Sequence, residues 1–197
     1  MPVTLQLETV PLEPPPRLKK WTRRECQFLL ENGFFEGQRY ELVEGELINK
    51  MGQNPPHAFA ISNLTVVLVQ LFGRRTRCQL PIDVAPEDNP TSEPEPDAVV
   101  THEAADFSQR GPAPADIAWL IEVSDSTLRF DLTIKARLYA RSRIPDYWVL
   151  DLVNRRIIVH REPRQGEYGS VTVYGASEGV ASLAAPERLF AFAGLTQ

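Results

Sequence analysis

The chain predicts an α/β (α+β) fold, one mixed β-sheet flanked by helices, and three observations carry that prediction. Strand-like and helix-like stretches alternate along the sequence instead of segregating into blocks. Ala118-Trp119-Leu120-Ile121 is continuously apolar rather than alternating, as a strand covered on both faces must be. That strand passes through Glu122-Val123-Ser124 into a helical stretch, Leu128 to Ser142, which Asp125-Ser126-Thr127 can cap and Pro145 closes.

At 197 residues, with 43% hydrophobic and 24% charged, the chain is long enough for one sizeable core. We expect a single domain over 18–197, preceded by an arm over 1–17 in which Pro2, Pro11, Pro14, Pro15 and Pro16 forbid regular structure. Cys26 and Cys78 lie far apart without CxxC or His-Cys spacing, which argues against a zinc cluster or a disulfide framework. No apolar run approaches the roughly 18 residues of a membrane span, and the N-terminus lacks a secretory signal, so a cytoplasmic location without a membrane partner is expected.

The net charge of −5 argues at first against a nucleic-acid partner, yet the charge is unevenly spread. Between Cys78 and Gln109 there is no Lys or Arg, whereas basic residues gather at Lys19-Lys20, Arg23-Arg24, Arg74-Arg75-Arg77, Arg137 to Arg143 and Arg155 to Arg164. Such clusters are usually solvated surface, but they could also line a phosphate-binding groove around an acidic metal site.

Taken in order, Thr22-Arg23-Arg24-Glu25 has capping-box spacing and Gly33 the place of a C-cap, which frames a short helix. Tyr40 to Lys50 reads as a hairpin turning at Glu44-Gly45, with Glu41 on the strand rather than in the turn. Pro55-Pro56-His57 opens a helix running to about Gly73, with His57 on its core side. Leu80 to Ala85 alternates as a strand, and Asp97 begins another behind Pro94 and Pro96. Tyr147 to Leu152 and Ile157 to His160 extend the sheet, Val171 to Tyr174 adds an edge, and Ala181 to Phe192 closes the chain.

On a helical wheel, Asp131 and Lys135 fall among Leu128, Phe130, Leu132, Ile134, Leu138 and Tyr139, while Arg129, Thr133, Ala136, Arg137, Ala140 and Arg143 take the solvated side. An inward charge is costly unless paired or used, so this i, i+4 pair is either a structural salt bridge or part of a site. Asp97 starts one strand and Glu122 ends another 25 residues later. Two such carboxylates can hold Mg²⁺ or Mn²⁺, and a nearby cation can orient water or stabilise charge on a phosphoryl group.

These residues resemble the PD-(D/E)XK nuclease superfamily and, within it, the restriction endonuclease family of the Uma type, over roughly Leu18 to Leu195. The resemblance rests on Tyr40 to Glu46, Pro56-His57, Glu93 to Asp97, Glu122 to Thr127, Asp131 to Lys135 and Pro145 to Trp148. It implies a restriction-endonuclease-like fold and a Mg²⁺-dependent endonuclease that hydrolyses DNA phosphodiester bonds with metal-activated water. Pro96-Asp97 corresponds to the PD element and Glu122 to the second acid, with the Val123 backbone carbonyl as a third metal ligand. Ser124 stands where the superfamily pattern has its lysine, so Lys135 is the candidate for a lysine moved onto the helix, supported by Asp131. Glu41 and His57 correspond to further site residues, an outer metal ligand and a water or phosphate contact.

Two other readings compete with this one. The first is a catalytically silent nuclease-fold binding module, for which the acidic charge and Ser124 speak; the second is a metal-free hydrolase using Glu41 and Glu122 as acid and base. The endonuclease reading also expects a homodimer for cutting both strands, and a groove leading to Asp97 rimmed by Arg137, Arg141 and one or more of Arg74, Arg75 and Arg77. It further expects Lys135→Ala to keep most of the thermal stability.

Overall fold

Ile117–Ser124 forms β5, and all eight residues of this strand are buried, as its unbroken apolar run requires. The structure is a computed structural model that describes residues 18–50 and 54–196; the expected arm over 1–17 lies outside the described residues. Around β5 a six-stranded sheet is built in the order β3 (Thr76–Cys78), β4 (Ala98–Thr101), β5, β6 (Asp146–Asp151), β7 (Arg156–Arg164) and β8 (Glu167–Tyr174). All neighbours are antiparallel except β5 and β6, which run parallel and therefore need a helical crossover between them.

Alternation along β5 assigns its two faces. Trp119, Ile121 and Val123 pack with Trp148 and Leu150 under α2 (Pro55–Phe72), the hairpin of β9 (Val180–Ser182) with β10 (Ala185–Phe190), and α5 (Phe192–Thr196). Leu120 packs on the opposite face with Tyr139, Ile144 and Tyr147 under the crossover helix, and the register shift between Trp119 and Ile117 brings Ile117 to that face as well. Glu122 is in phase with Leu120, so it too faces that helix. Helix α2 carries no charged residue and, by length and composition alone, is apolar enough to cross a membrane; here Ala60, Ile61, Leu64 and Leu68 lay it on the sheet.

The crossover helix departs from the regular wheel. It consists of α3 (Leu128–Phe130), a π turn (Asp131–Lys135) and α4 (Ala136–Arg141), with the Ala136 N–H reaching back five residues to the Asp131 carbonyl. The wider turn rotates α4 relative to α3, which is why Ala136 and Ala140, expected on the solvated side, are buried. The Tyr147 hydroxyl donates to the same Asp131 carbonyl at 3.0 Å and fixes the turn from the sheet.

The remaining elements match the sequence except that β3 forms where no strand was expected and one expected strand is missing. Helix α1 (Arg23–Glu31) has the expected capping box, and β1 (Tyr40–Val43) pairs with β2 (Glu46–Asn49) through a turn in which Glu44 (φ 49°) and Gly45 (φ 79°) are both left-handed, as a two-residue hairpin demands. The expected strand at Leu80 to Ala85 does not form. Its apolar residues Ile82, Val84 and Ala85 are buried, but its N–H groups bond to loop acceptors, Ile82 to the Pro94 carbonyl and Asp83 to that of Pro112, and no neighbouring strand offers a ladder. Cys26 and Cys78 are free thiols.

Candidate active site

The antiparallel register that pairs Ala98 with Ile121 carries Asp97 to a position beside Glu122 at the same end of the sheet. Asp97 Oδ2 accepts the Val123 N–H at 2.8 Å, so the two acidic residues are joined through the backbone of β5. The parallel crossover then returns the π turn over this end, and Lys135 Nζ donates to Glu122 Oε1 at 2.9 Å. Glu41, on β1, meets the same ammonium at 3.0 Å. Asp131, one turn from Lys135, is the most distant partner at 4.0 Å. A structural i, i+4 pair alone does not describe this geometry, because the lysine reaches past Asp131 to acids on two other elements.

Asp131 has its own partners. The hydroxyls of Ser124 and Thr127 both donate to its Oδ2 at 2.6 Å. Ser124, at the superfamily's lysine position, thus anchors the π turn from which the lysine is supplied. His57 Nε2, at the start of α2, lies 2.8 Å from the Val123 carbonyl and 3.8 Å from Asp97 Oδ2, and its Nδ1 is buried with no partner among the described residues.

Glu41, His57, Asp97, Glu122, Val123, Asp131 and Lys135 all line one cavity of about 150 Å³, and Ser124 stands behind it. The sequence reading missed two residues here. Lys50, at the end of the hairpin, lies on the cavity wall 3.7 Å from Glu95. Tyr139 donates its hydroxyl to Glu122 Oε1 at 2.8 Å. Its position on the inward arc was a usable signal, since a buried phenol seeks an acceptor.

The arginine rim is a correction. Among the described residues no arginine lines the cavity. Arg137 pairs with Glu167, Arg141 with Glu44 and Asp88, and Arg75 and Arg77 bond to the carbonyls of Thr101 and Ala105. Acidic residues capture Arg137 and Arg141, and backbone carbonyls capture Arg75 and Arg77, before these guanidiniums can face the site.

Electrostatically the site is a cluster of four buried carboxylates, Glu41, Asp97, Glu122 and Asp131, around one buried ammonium. Burial pushes Glu122 up to about 8; Lys135 opposes this, and Asp97, Asp131 and Glu41 reinforce it. Burial likewise raises Asp131, against the pull of Lys135. Burial alone would lower Lys135, but Glu122, Glu41 and Asp131 outweigh it and hold the ammonium well above its ordinary value. Glu41 is lowered because Lys135 and Lys50 together outweigh its burial. Negative charge is in surplus, which favours a further cation.

The donor set suits Mg²⁺ or Mn²⁺. Among the described residues no donor meets Asp97 Oδ1 or Glu122 Oε2, so each acid keeps one oxygen for a cation. No three His, Cys, Asp or Glu side chains among the described residues converge on a common point, so an ion here would have two carboxylates and a carbonyl and would complete its shell with water. Lys135 is only 3% exposed and binds two buried acids, so its removal bears on the fold as well as on the site, and Lys135→Ala is expected to cost stability.

A mixed sheet with acids at two adjoining strand ends and a lysine on the crossover helix is a restriction-endonuclease-like frame. The chain belongs to the Uma2 family, described as a putative restriction endonuclease, which matches residues 26–192. Among solved structures it is similar to a putative nuclease belonging to DUF820 from Anabaena variabilis, with a TM-score of 0.60 and 17% identity over 80% of this chain and 89% of that one; the likeness is one of fold. No curated protein matches the chain.

Proposed function

We propose that the protein is a Mg²⁺-dependent endonuclease that hydrolyses phosphodiester bonds in DNA. The observation that carries this reading is Lys135 on Glu122, at 2.9 Å, beside Asp97 in one cavity: the acid–acid–lysine set is complete although the lysine comes from the helix. Asp97, Glu122 and the Val123 carbonyl would hold the ion, which when bound acts as a Lewis acid and lowers the pKa of water.

The chain's own groups have separate tasks. Tyr139 and Lys135 both engage Glu122 Oε1 and so turn Oε2 toward the cavity. His57, with its proton on Nε2, donates to the Val123 carbonyl and fixes it at the edge of the cavity. In hydrolysis water adds to phosphorus as the ester P–O bond breaks, and charge gathers on the phosphoryl oxygens. Lys135 is the buried cation the chain supplies against that charge.

The cavity without arginine favours a second reading, the silent binding module. A calorimetric Mg²⁺ titration separates the two. The endonuclease reading expects saturable binding that Glu122→Gln abolishes; no heat of binding at millimolar metal would favour the silent module.

A further inference from the structure

The arginines that the candidate site does not use gather at the far end of the same helix. Arg141, Arg143 and Arg164 line a cavity of about 450 Å³ together with the Gln165-Gly166 turn of β7 and β8, and Glu87 is the acid on its wall. Gly166 lets the stem of Arg141 pack closely, since a Cβ there would lie 3.2 Å from its Cγ. The charge of Arg141 is met by Glu44 and Asp88, each at 2.7 Å. Among the described residues Arg164 pairs only with Glu162, and both side chains are so exposed that the pair holds weakly.

Arg143 is the informative residue. It comes just after α4 with φ 57°, its N–H bonded to the Ala140 carbonyl while the Ile144 N–H bonds to that of Tyr139. This is the helix-closing position at which glycine is preferred, because a side chain in the left-handed region is strained. No carboxylate pairs with Arg143 among the described residues. A cation at a helix C-terminus suits the helix dipole, but Arg141 already provides one from an unstrained position. A long cation held at a strained position without an acidic partner points to a ligand outside the chain.

We propose that this cavity is a phosphate seat for the backbone of a nucleic-acid strand, with Arg143 and Arg164 as the guanidiniums that hold it. The inference rests on the nuclease reading for its polyanion, and it supplies the basic surface that the catalytic cavity lacks. The geometry links the two places. Arg143 lies eight residues beyond Lys135, roughly 12 Å along the helix, which is about three to four base-pair steps of duplex. The β1–β2 hairpin runs beside both, with Glu41 on Lys135 and Glu44 on Arg141.

Arg143→Gly separates a structural role from a binding one, because it removes the guanidinium and relieves the strain together. Binding of a short fluorescent duplex is measured in EDTA across a salt series for wild type, Arg143→Gly and Arg164→Gln, with inorganic phosphate as a separate probe. We expect Arg143→Gly to raise Tm by about 2–4 °C. Both variants should weaken duplex binding about fivefold and flatten the log–log salt slope by about one per lost contact. Unchanged affinity and slope in Arg143→Gly would overturn the inference and leave the nuclease reading standing. Loss of inorganic phosphate binding with duplex affinity unchanged would overturn it in favour of a small-anion site. A wild-type protein that does not bind duplex even at low salt would remove both readings.

Discussion

Lys135→Met keeps most of the lysine stem and removes its charge, so it isolates what the ammonium contributes to the fold. In the wild type this ammonium lies 2.9 Å from Glu122 and 3.0 Å from Glu41, with all three side chains buried. Removing one partner of a buried pair costs about 3–5 kcal/mol, because the remaining charge is left uncompensated. Protonation of Glu122 limits that cost. Its carboxyl, already pushed up to about 8, rises further without Lys135, so near pH 6 the variant takes a proton and near pH 9 it must bury the charge. This fixes the sign: a carboxyl whose folded pKa lies above its unfolded value contributes stability at low pH that is lost as pH rises through the folded pKa. We expect Lys135→Met to be less stable than wild type by about 3 kcal/mol at pH 8.5, or about 6–12 °C in Tm, with the gap smaller at pH 6. Urea and thermal unfolding at both values measure it. Equal stability at pH 8.5, or a gap that narrows as pH rises, would refute the reasoning.

Three further outcomes are expected. Tyr139→Phe leaves Lys135 as the one donor to Glu122 Oε1, so Mg²⁺ affinity should fall by about tenfold in calorimetry with the fold retained; an unchanged Kd would show the hydroxyl to be structural. Asp146→Asn should destabilise by about 3–5 kcal/mol in urea, because both oxygens of this buried acid are used, one by Trp148 and Arg161 and the other by Ser182 and the Leu183 N–H; a loss under about 1 kcal/mol would contradict the keystone role. Burial holds His160 down at about 4, so the unfolded chain binds the proton first and stability, full above about pH 6.5, should fall by up to about 3 kcal/mol as pH drops toward 4; His160→Phe should flatten that slope, and an equal slope in the variant would assign the loss to other groups.

The strands and the site were legible to different degrees, for physical reasons. β5 could be read because burial on both faces leaves an unbroken apolar run, and Asp97 and Glu122 because a charge at the end of such a strand has few innocent explanations. Lys135 was visible as an inward charge, and its reach to Glu122 comes from the crossover that a parallel pair requires. The π turn was not legible, since no residue type announces an extra residue in a helical turn, and the regular wheel misplaced Ala136 and Ala140 as a result. Leu80 to Ala85 alternated like a strand, but ladder formation depends on a neighbour that local pattern does not reveal. The arginine rim failed because sequence shows where cations cluster and not which acids will claim them, as Glu44 and Asp88 claim Arg141.

The central claim is that Asp97 and Glu122 form the cation site of a hydrolytic centre, and cleavage of supercoiled DNA by wild type and Asp97→Asn, with Mg²⁺ and with EDTA, tests it most directly. The substitution conserves size and retains an oxygen for the Val123 N–H, so the variant should fold with little change in Tm. The account predicts nicking by wild type with Mg²⁺, none in EDTA, and none by Asp97→Asn under either condition. Cleavage by Asp97→Asn at the wild-type rate, or by wild type in excess EDTA, would contradict it.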